Sequence, residues 1–70
     1  MASYKIIIYQ HKGSSMVPIR EFLVGFTYWE NARKFVDEDL AFLNPSAEPT
    51  PEGFDFWKQG VRYSCNIVNK

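Results

Sequence analysis

The stretch that decides the fold is Tyr4-Lys5-Ile6-Ile7-Ile8-Tyr9-Gln10, near the start of the chain. Its β-branched and aromatic side chains favour an extended strand on a pleated sheet. Because side chains alternate along a strand, its even-numbered apolar residues face one way, while Ile7 and Tyr9 face the other. Apolar residues on both faces are typical of a central strand whose two sides are both covered. We therefore place this strand in the middle of the predicted sheet.

The next segment predicts the second arm of a β-hairpin. Gly13 lies in a polar turn, where it can supply any positive φ that the hairpin needs. Residues 16–26 then read as a strand that returns antiparallel. Pro18 cannot donate to the sheet, which indicates an edge or a bulge, and the apolar spacing shifts near Arg20-Glu21. We expect a β-bulge at that shift.

Helical periodicity follows the second strand. Thr27 and Glu30 have the spacing of a capping box, which predicts the start of a helix at this point. Apolar residues then recur at helical spacing over about residues 28–43. Pro45 ends the pattern, because the residue before a proline disfavours the α conformation.

The last third of the chain predicts one further strand. Residues 45–53 contain three prolines and read as a stiff linker. The aromatic stretch 54–58 fits either a short strand or a helical turn, and residues 61–68 alternate cleanly as a strand. We therefore predict a single α+β domain over residues 1–70, a two-layer ββαβ fold. Its three-stranded, mainly antiparallel sheet has the order 2-1-3, with one helix on one face.

Composition narrows the class of protein. The chain has 70 residues, a formal net charge of zero and 17% aromatic residues. This argues against disorder and provides no general attraction to phosphate backbones or anionic lipid. The single cysteine cannot form an internal disulfide, and the N-terminal apolar run is too short for a signal peptide or membrane span. We expect a cytoplasmic protein that uses no cofactor.

Single polar residues in apolar surroundings are candidate sites. Asp39 lies in the middle of the predicted apolar helix stripe, where a carboxylate needs an exit to water beyond the edge of the sheet, an ion-pair partner such as Arg20 or Arg62, or a basic group on a binding partner. His11 is expected in a solvent-exposed turn, and Cys65 as a buried small hydrophobe. No metal-ligand spacing is present, and we expect neither a metal site nor catalytic residues.

The aromatic content exceeds what one helix-facing layer can use. Several residues remain for a second apolar surface, which either the chain's own linker or another protein covers. The predicted partner interface comprises Ile7, Tyr9, Phe54, Phe56, Trp57 and Arg62, with Asp39 as a polar anchor. We therefore expect a small, non-enzymatic protein-binding domain that forms a homodimer through the sheet face opposite the helix. Chains of this size are often accessory subunits, regulators or inhibitors, including proteins of phages and mobile elements.

A single-stranded nucleic-acid-binding module is the alternative. Such modules stack bases on aromatic residues of an exposed sheet, with basic residues beside them. The candidate residues are Lys5, Tyr9, Arg20, Phe56, Trp57, Lys58 and Arg62. The neutral net charge and the nearby acidic residues Glu21 and Asp55 count against this alternative.

Overall fold

Residues 2–70, which the computed structural model describes, form a five-stranded antiparallel sheet with a helical segment across one face. The strands are β1 (Tyr4–Lys12), β2 (Ser15–Phe26), β3 (Glu48–Thr50), β4 (Gly53–Lys58) and β5 (Val61–Asn69). Their order across the sheet is β2-β1-β5-β4-β3. The predicted three-stranded ββαβ fold of order 2-1-3 is therefore wrong.

The additional strands come from the part of the chain that reads as a linker and an aromatic cluster. β3 lies inside the predicted 45–53 linker and pairs with β4 at the edge of the sheet. Pro49 is tolerated there because an edge strand needs no N–H on its outer side. The 54–58 stretch is β4, a strand rather than a helical turn. A three-residue strand with a central proline has no alternation that the sequence could reveal.

The helical segment changes its hydrogen-bonding pattern along its length. α1 (Trp29–Phe35) continues into a π-helical turn (Val36–Leu40) and a 3₁₀ turn (Ala41–Leu43). The N-cap residue is Tyr28, one residue after the predicted Thr27, and the Tyr28 side chain makes no cap hydrogen bond. No helix among residues 2–70 is long and apolar enough to cross a membrane.

The π-helical turn explains where Asp39 lies. Its i→i+5 hydrogen bonds insert an extra residue, so the rotation per residue is smaller than in an α-helix. The residues that face the sheet are therefore spaced by four: Ala32 and Val36 are fully buried, and Leu40 packs against them. Asp39 lies outside the apolar stripe in which the helical wheel places it, and it is exposed to solvent, which is one of the three arrangements expected for it. Phe42 is also turned outward and is 83% exposed.

The core lies between the helical segment and one face of the sheet. The strand residues in it are Ile6, Phe54, Phe56, Cys65 and Ile67. Ile6 and Ile67 are paired across β1 and β5, and Cys65 is paired with Phe54 across β5 and β4. Burial of these side chains against Ala32 and Val36 is the main apolar contribution to folding.

β2 is irregular where its sequence pattern changes. Its register against β1 shifts between the pairs Ile8↔Arg20 and Tyr9↔Pro18, so that Ile19 has no partner of its own. A second shift follows Glu21. The irregularity predicted near Arg20 and Glu21 is confirmed.

We expect Gly53→Ala to destabilise the protein strongly. A Cβ atom at Gly53 would lie 2.0 Å from the Cys65 carbonyl oxygen, a backbone atom that cannot move aside cheaply. Overpacking of this kind costs about 1–3 kcal/mol or more. Urea denaturation measures the change in the free energy of unfolding. Gly13→Asn is the control, because Gly13 has a φ of +61° that asparagine tolerates and open space around it. Equal stability of the Gly53→Ala variant and the wild type would contradict the close approach.

Candidate functional site

A polar network occupies the face of the sheet opposite the helical segment. Asp55 on β4 and Ser64 on β5 are directly paired, and the Ser64 hydroxyl donates to Asp55 Oδ1 at 2.6 Å. Arg62 Nη2 donates to Asp55 Oδ2 at 2.5 Å. His11 on β1 completes the network, with its Nε2 atom 2.7 Å from Ser64 Oγ. The network therefore ties three adjacent strands together through their side chains.

The carboxyl group of Asp55 is buried in its ionised form. Burial raises its pKa, but the Ser64 hydrogen bond, the Arg62 guanidinium and the His11 charge together outweigh that effect and lower the pKa below 3.8. Asp55 is 7% exposed and Ser64 3% exposed. Every buried side-chain nitrogen and oxygen in the described part of the chain has a hydrogen-bond partner. The network is electrostatically complete within one chain.

The direction of the hydrogen bonds limits what the network can do. An ionised Asp55 only accepts, so the single Ser64 proton points at Asp55. His11 must then donate its Nε2–H to Ser64 Oγ. In a nucleophilic Ser–His–Asp arrangement the histidine accepts the serine proton, and the carboxylate holds the histidine. Here the serine occupies the middle position, so the geometry orders the strands and does not activate Ser64.

His11 and Cys65, the other candidate residues of the sequence analysis, lie on opposite faces of the sheet. His11 lies in β1 and is half-buried, so its expected place in an exposed turn is wrong. Cys65 is fully buried on the helix side, as expected, and burial raises the pKa of its thiol to about 12. Among residues 2–70 there is no group of three or more His, Cys, Asp or Glu side chains that could hold a metal ion.

The residues of the predicted partner interface do not share one surface. Phe54 and Phe56 are buried under the helical segment, at 2% and 9% exposure. Ile7, Tyr9, Trp57 and Arg62 alternate with buried neighbours and therefore lie on the opposite face. Trp57 is 39% exposed, and Arg62 lies over its ring at 5.9 Å from the centroid. The predicted anchor, Asp39, is on neither sheet face but on the exposed side of the helical segment.

The basic residues of the predicted nucleic-acid face are partly neutralised. Lys5 pairs with Glu21 at 3.0 Å, and Arg62 pairs with Asp55. Arg20 and Lys58 lie with Phe56 around a cleft on the helix side instead. The sheet face opposite the helix therefore lacks a row of free cations beside its aromatic residues.

A second candidate surface runs along β2, at the edge of the sheet. We name it the β2 edge and define it by its exposed apolar residues Met16, Val17, Ile19, Leu23 and Val24. Their exposed fractions run from 38% for Val17 to 103% for Leu23. Within residues 2–70, β2 pairs only with β1, so its outer backbone edge meets no other strand.

The sequence analysis did not anticipate that His11, Asp55 and Ser64 are hydrogen-bonded to one another. The alternation of β5 shows that Arg62, Ser64 and Asn66 share a polar face. That pattern is the available signal for a polar site on the sheet. The partner strand and its register, which place Asp55 opposite Ser64, depended on β4 being a strand.

Comparisons of this chain with family models, with curated proteins and with solved structures found no match.

We expect Ser64→Ala to raise the pKa of Asp55, because it removes a hydrogen bond that favours the charged form. Since the folded-state pKa lies below the unfolded value near 3.8, the carboxylate stabilises the fold above that pH. This contribution is lost as the pH falls through the folded-state pKa. In the variant the loss begins at a higher pH, and the neutral-pH free energy of unfolding falls by about 1–3 kcal/mol.

The measurement is the ¹³C chemical shift of the Asp55 carboxyl carbon against pH, together with urea denaturation at each pH. Ser14→Ala is the matched control, because Ser14 lies in the exposed hairpin turn. An unchanged Asp55 titration in Ser64→Ala would show that the hydroxyl does not hold the carboxylate in solution.

Proposed function

We propose that this chain is a non-enzymatic protein-binding domain that forms a homodimer by pairing β2 of one copy with β2 of another. The observation that carries the proposal is the β2 edge, a long strand whose apolar side chains and outer backbone both face solvent. Exposed strand edges bind other chains by adding a strand to the sheet.

The length and composition of β2 support this interface. β2 has 12 residues, against a typical strand length of about five or six. β2 also carries a proline and two register shifts, features that limit edge pairing, so the proposal rests on its length and its exposed apolar side chains. Leu23 is fully exposed, as is expected of a contact residue and not of a core residue.

Pro18 and the register shifts restrict how the edges can pair. Pro18 has no N–H to donate, and Ile19 interrupts the regular ladder. A partner strand therefore meets regular backbone only in parts of β2. This restriction favours one defined register over open-ended stacking of strands, and a two-fold edge-to-edge contact closes after two copies.

The polar network argues against the sheet face opposite the helix as the main interface. Asp55, Ser64 and His11 already satisfy one another within one chain. Covering that face with a second copy removes water from charged groups without new partners, which costs free energy. The β2 edge has mainly apolar side chains and unpaired backbone to offer.

The proposed activity is the occupation of a surface and not a chemical reaction. The Ser64 proton is directed to Asp55, so the network lacks an activated nucleophile. Regulators and inhibitors in the cytoplasm act in this way. In a monomer the same edge is free to pair with the sheet of a different protein. The homodimer can therefore dissociate and each copy can bind such a partner through the β2 edge.

We expect the wild-type protein to be a dimer and Leu23→Lys to be a monomer. A lysine in the β2 edge places a charge in the apolar contact and repels its symmetry-related copy. Sedimentation velocity from micromolar to millimolar concentration measures the mass. Leu43→Lys is the matched control, because Leu43 is 72% exposed but lies at the end of the helical segment.

The results of these measurements distinguish the β2 edge from the sheet face opposite the helical segment. A monomeric wild type at millimolar concentration overturns the proposed self-association. A dimer that survives Leu23→Lys and Ile19→Lys but is lost in Trp57→Lys places the interface on the opposite sheet face. Quenching of tryptophan fluorescence by mixed single-stranded oligonucleotides at low salt would favour the nucleic-acid alternative instead.

A further inference from the structure

A cleft opens on the helix-covered face of the sheet, where the helical segment ends before the strands do. It has a volume of about 380 Å³, within the range of small-molecule sites. Ile8, Phe22, Leu40 and Phe56 contribute apolar walls, and Arg20 and Lys58 also line it. We name it the basic cleft. None of the residues that line it belongs to the polar network. Arg20 and Phe22 lie on β2, but they are not among the apolar residues that define the β2 edge.

The charge of the basic cleft has one sign. No aspartate or glutamate is among the described residues that line it. The ion pairs of residues 2–70 involve Lys5, Arg33 and Arg62, and neither Arg20 nor Lys58 takes part in one. Free cations at the rim of an apolar cavity attract an anion.

Arg20 is held in an orientation suited to a carboxylate. Its guanidinium carbon lies 4.6 Å from the centroid of the Phe22 ring. Stacking on an aromatic ring occupies the flat face of the guanidinium and leaves the N–H groups at its edge free to donate. A carboxylate can accept two of these N–H groups side by side. An arginine held in place in this way loses little side-chain entropy on binding.

Because most of the residues that line the cleft are apolar, a ligand that fits it has an apolar part as well as an anionic group. Ile8 and Phe56 lie on strands on either side of β5, and Leu40 lies above them on the helical segment. β2, which carries Arg20, and β4, which carries Lys58, are three strand spacings apart, or about 14 Å at the backbone. Arg20 and Lys58 therefore line the cleft from opposite sides, and Ile8, Leu40 and Phe56 line it between them.

We propose that the basic cleft binds a small carboxylic acid with an apolar chain or ring, its carboxylate held by Arg20 at one side of the cleft and attracted by the charge of Lys58 from the other. The apolar part fills the space between Ile8, Leu40 and Phe56. Leu43, which is largely exposed, lines the rim of the cleft. The site is complete within one chain and does not depend on the proposed dimer.

Octanoate is the probe, titrated below its micelle concentration and followed by ¹H–¹³C spectra of the methyl groups. We expect saturable shifts at Ile8 and Leu40, and none at Ile7 on the opposite face. Octan-1-ol, which has the same chain without the charge, binds at least tenfold more weakly. Arg20→Gln weakens octanoate binding by about tenfold, since a charge-assisted hydrogen bond is lost. Lys58→Gln weakens it less, because Lys58 contributes a more distant positive charge. Both side chains are exposed, so the variants are expected to fold.

Lys34→Gln is the control for a change in net charge, because Lys34 is an exposed lysine of α1 outside the cleft. Leu23→Lys is expected to bind octanoate like the wild type, which keeps the result separate from self-association. Equal affinity for octanoate and octan-1-ol, shifts at Ile7 in place of Ile8, or loss of binding in Leu23→Lys would each overturn the proposal. Absence of saturable binding would do so as well.

Discussion

The pairing of β1 with β5 is the contact on which the rest of the structure depends. It joins the two ends of the chain in register, from Tyr4 opposite Asn69 to Gln10 opposite Tyr63. Pairing residues so far apart in the chain costs conformational entropy, and the burial of apolar side chains must offset that cost. That apolar burial occurs on one face of the sheet, where Ile6 and Ile67 pack under the helical segment.

The opposite face of the same strand pair carries the polar network. One strand pair thus separates two environments a side chain's length apart: an apolar layer that contains Cys65, and a hydrogen-bonded layer that contains Ser64. Neighbouring residues on β5 end up in these different layers because of the two-residue period of a strand. The buried Asp55 ties β4 to this pair from the polar side, while Phe54 does so from the apolar side. The middle of the sheet is therefore held on both faces.

The edge of the sheet is less well covered by the rest of the chain than its central strands are. β2 extends along the edge with apolar side chains in solvent, and the helical segment ends before it covers the whole face. The β2 edge and the basic cleft are both consequences of this shortage of covering structure. A chain of 70 residues has too few elements to bury both faces and both edges of a sheet of this width. Surfaces left open in this way are where binding is to be expected.

The sequence by itself determined the local features that depend on a few neighbouring residues. The doubly apolar strand at Tyr4–Gln10, the hairpin turn at Gly13, the irregularity near Arg20 and the buried Cys65 are all readable from residue type and spacing. These features follow from side-chain alternation and backbone sterics, which act over short distances.

Tertiary structure alone decided the strand count, the outward rotation of Asp39 and the meeting of His11, Asp55 and Ser64. β3 is too short and proline-rich to be recognised from its sequence, and it exists because β4 offers it a partner. The π-helical turn changes the helical period within five residues, so a wheel drawn at a constant angle misplaces the residues in and after that turn. The network needs the register between strands that are 53 residues apart in the chain, and no local pattern encodes that register.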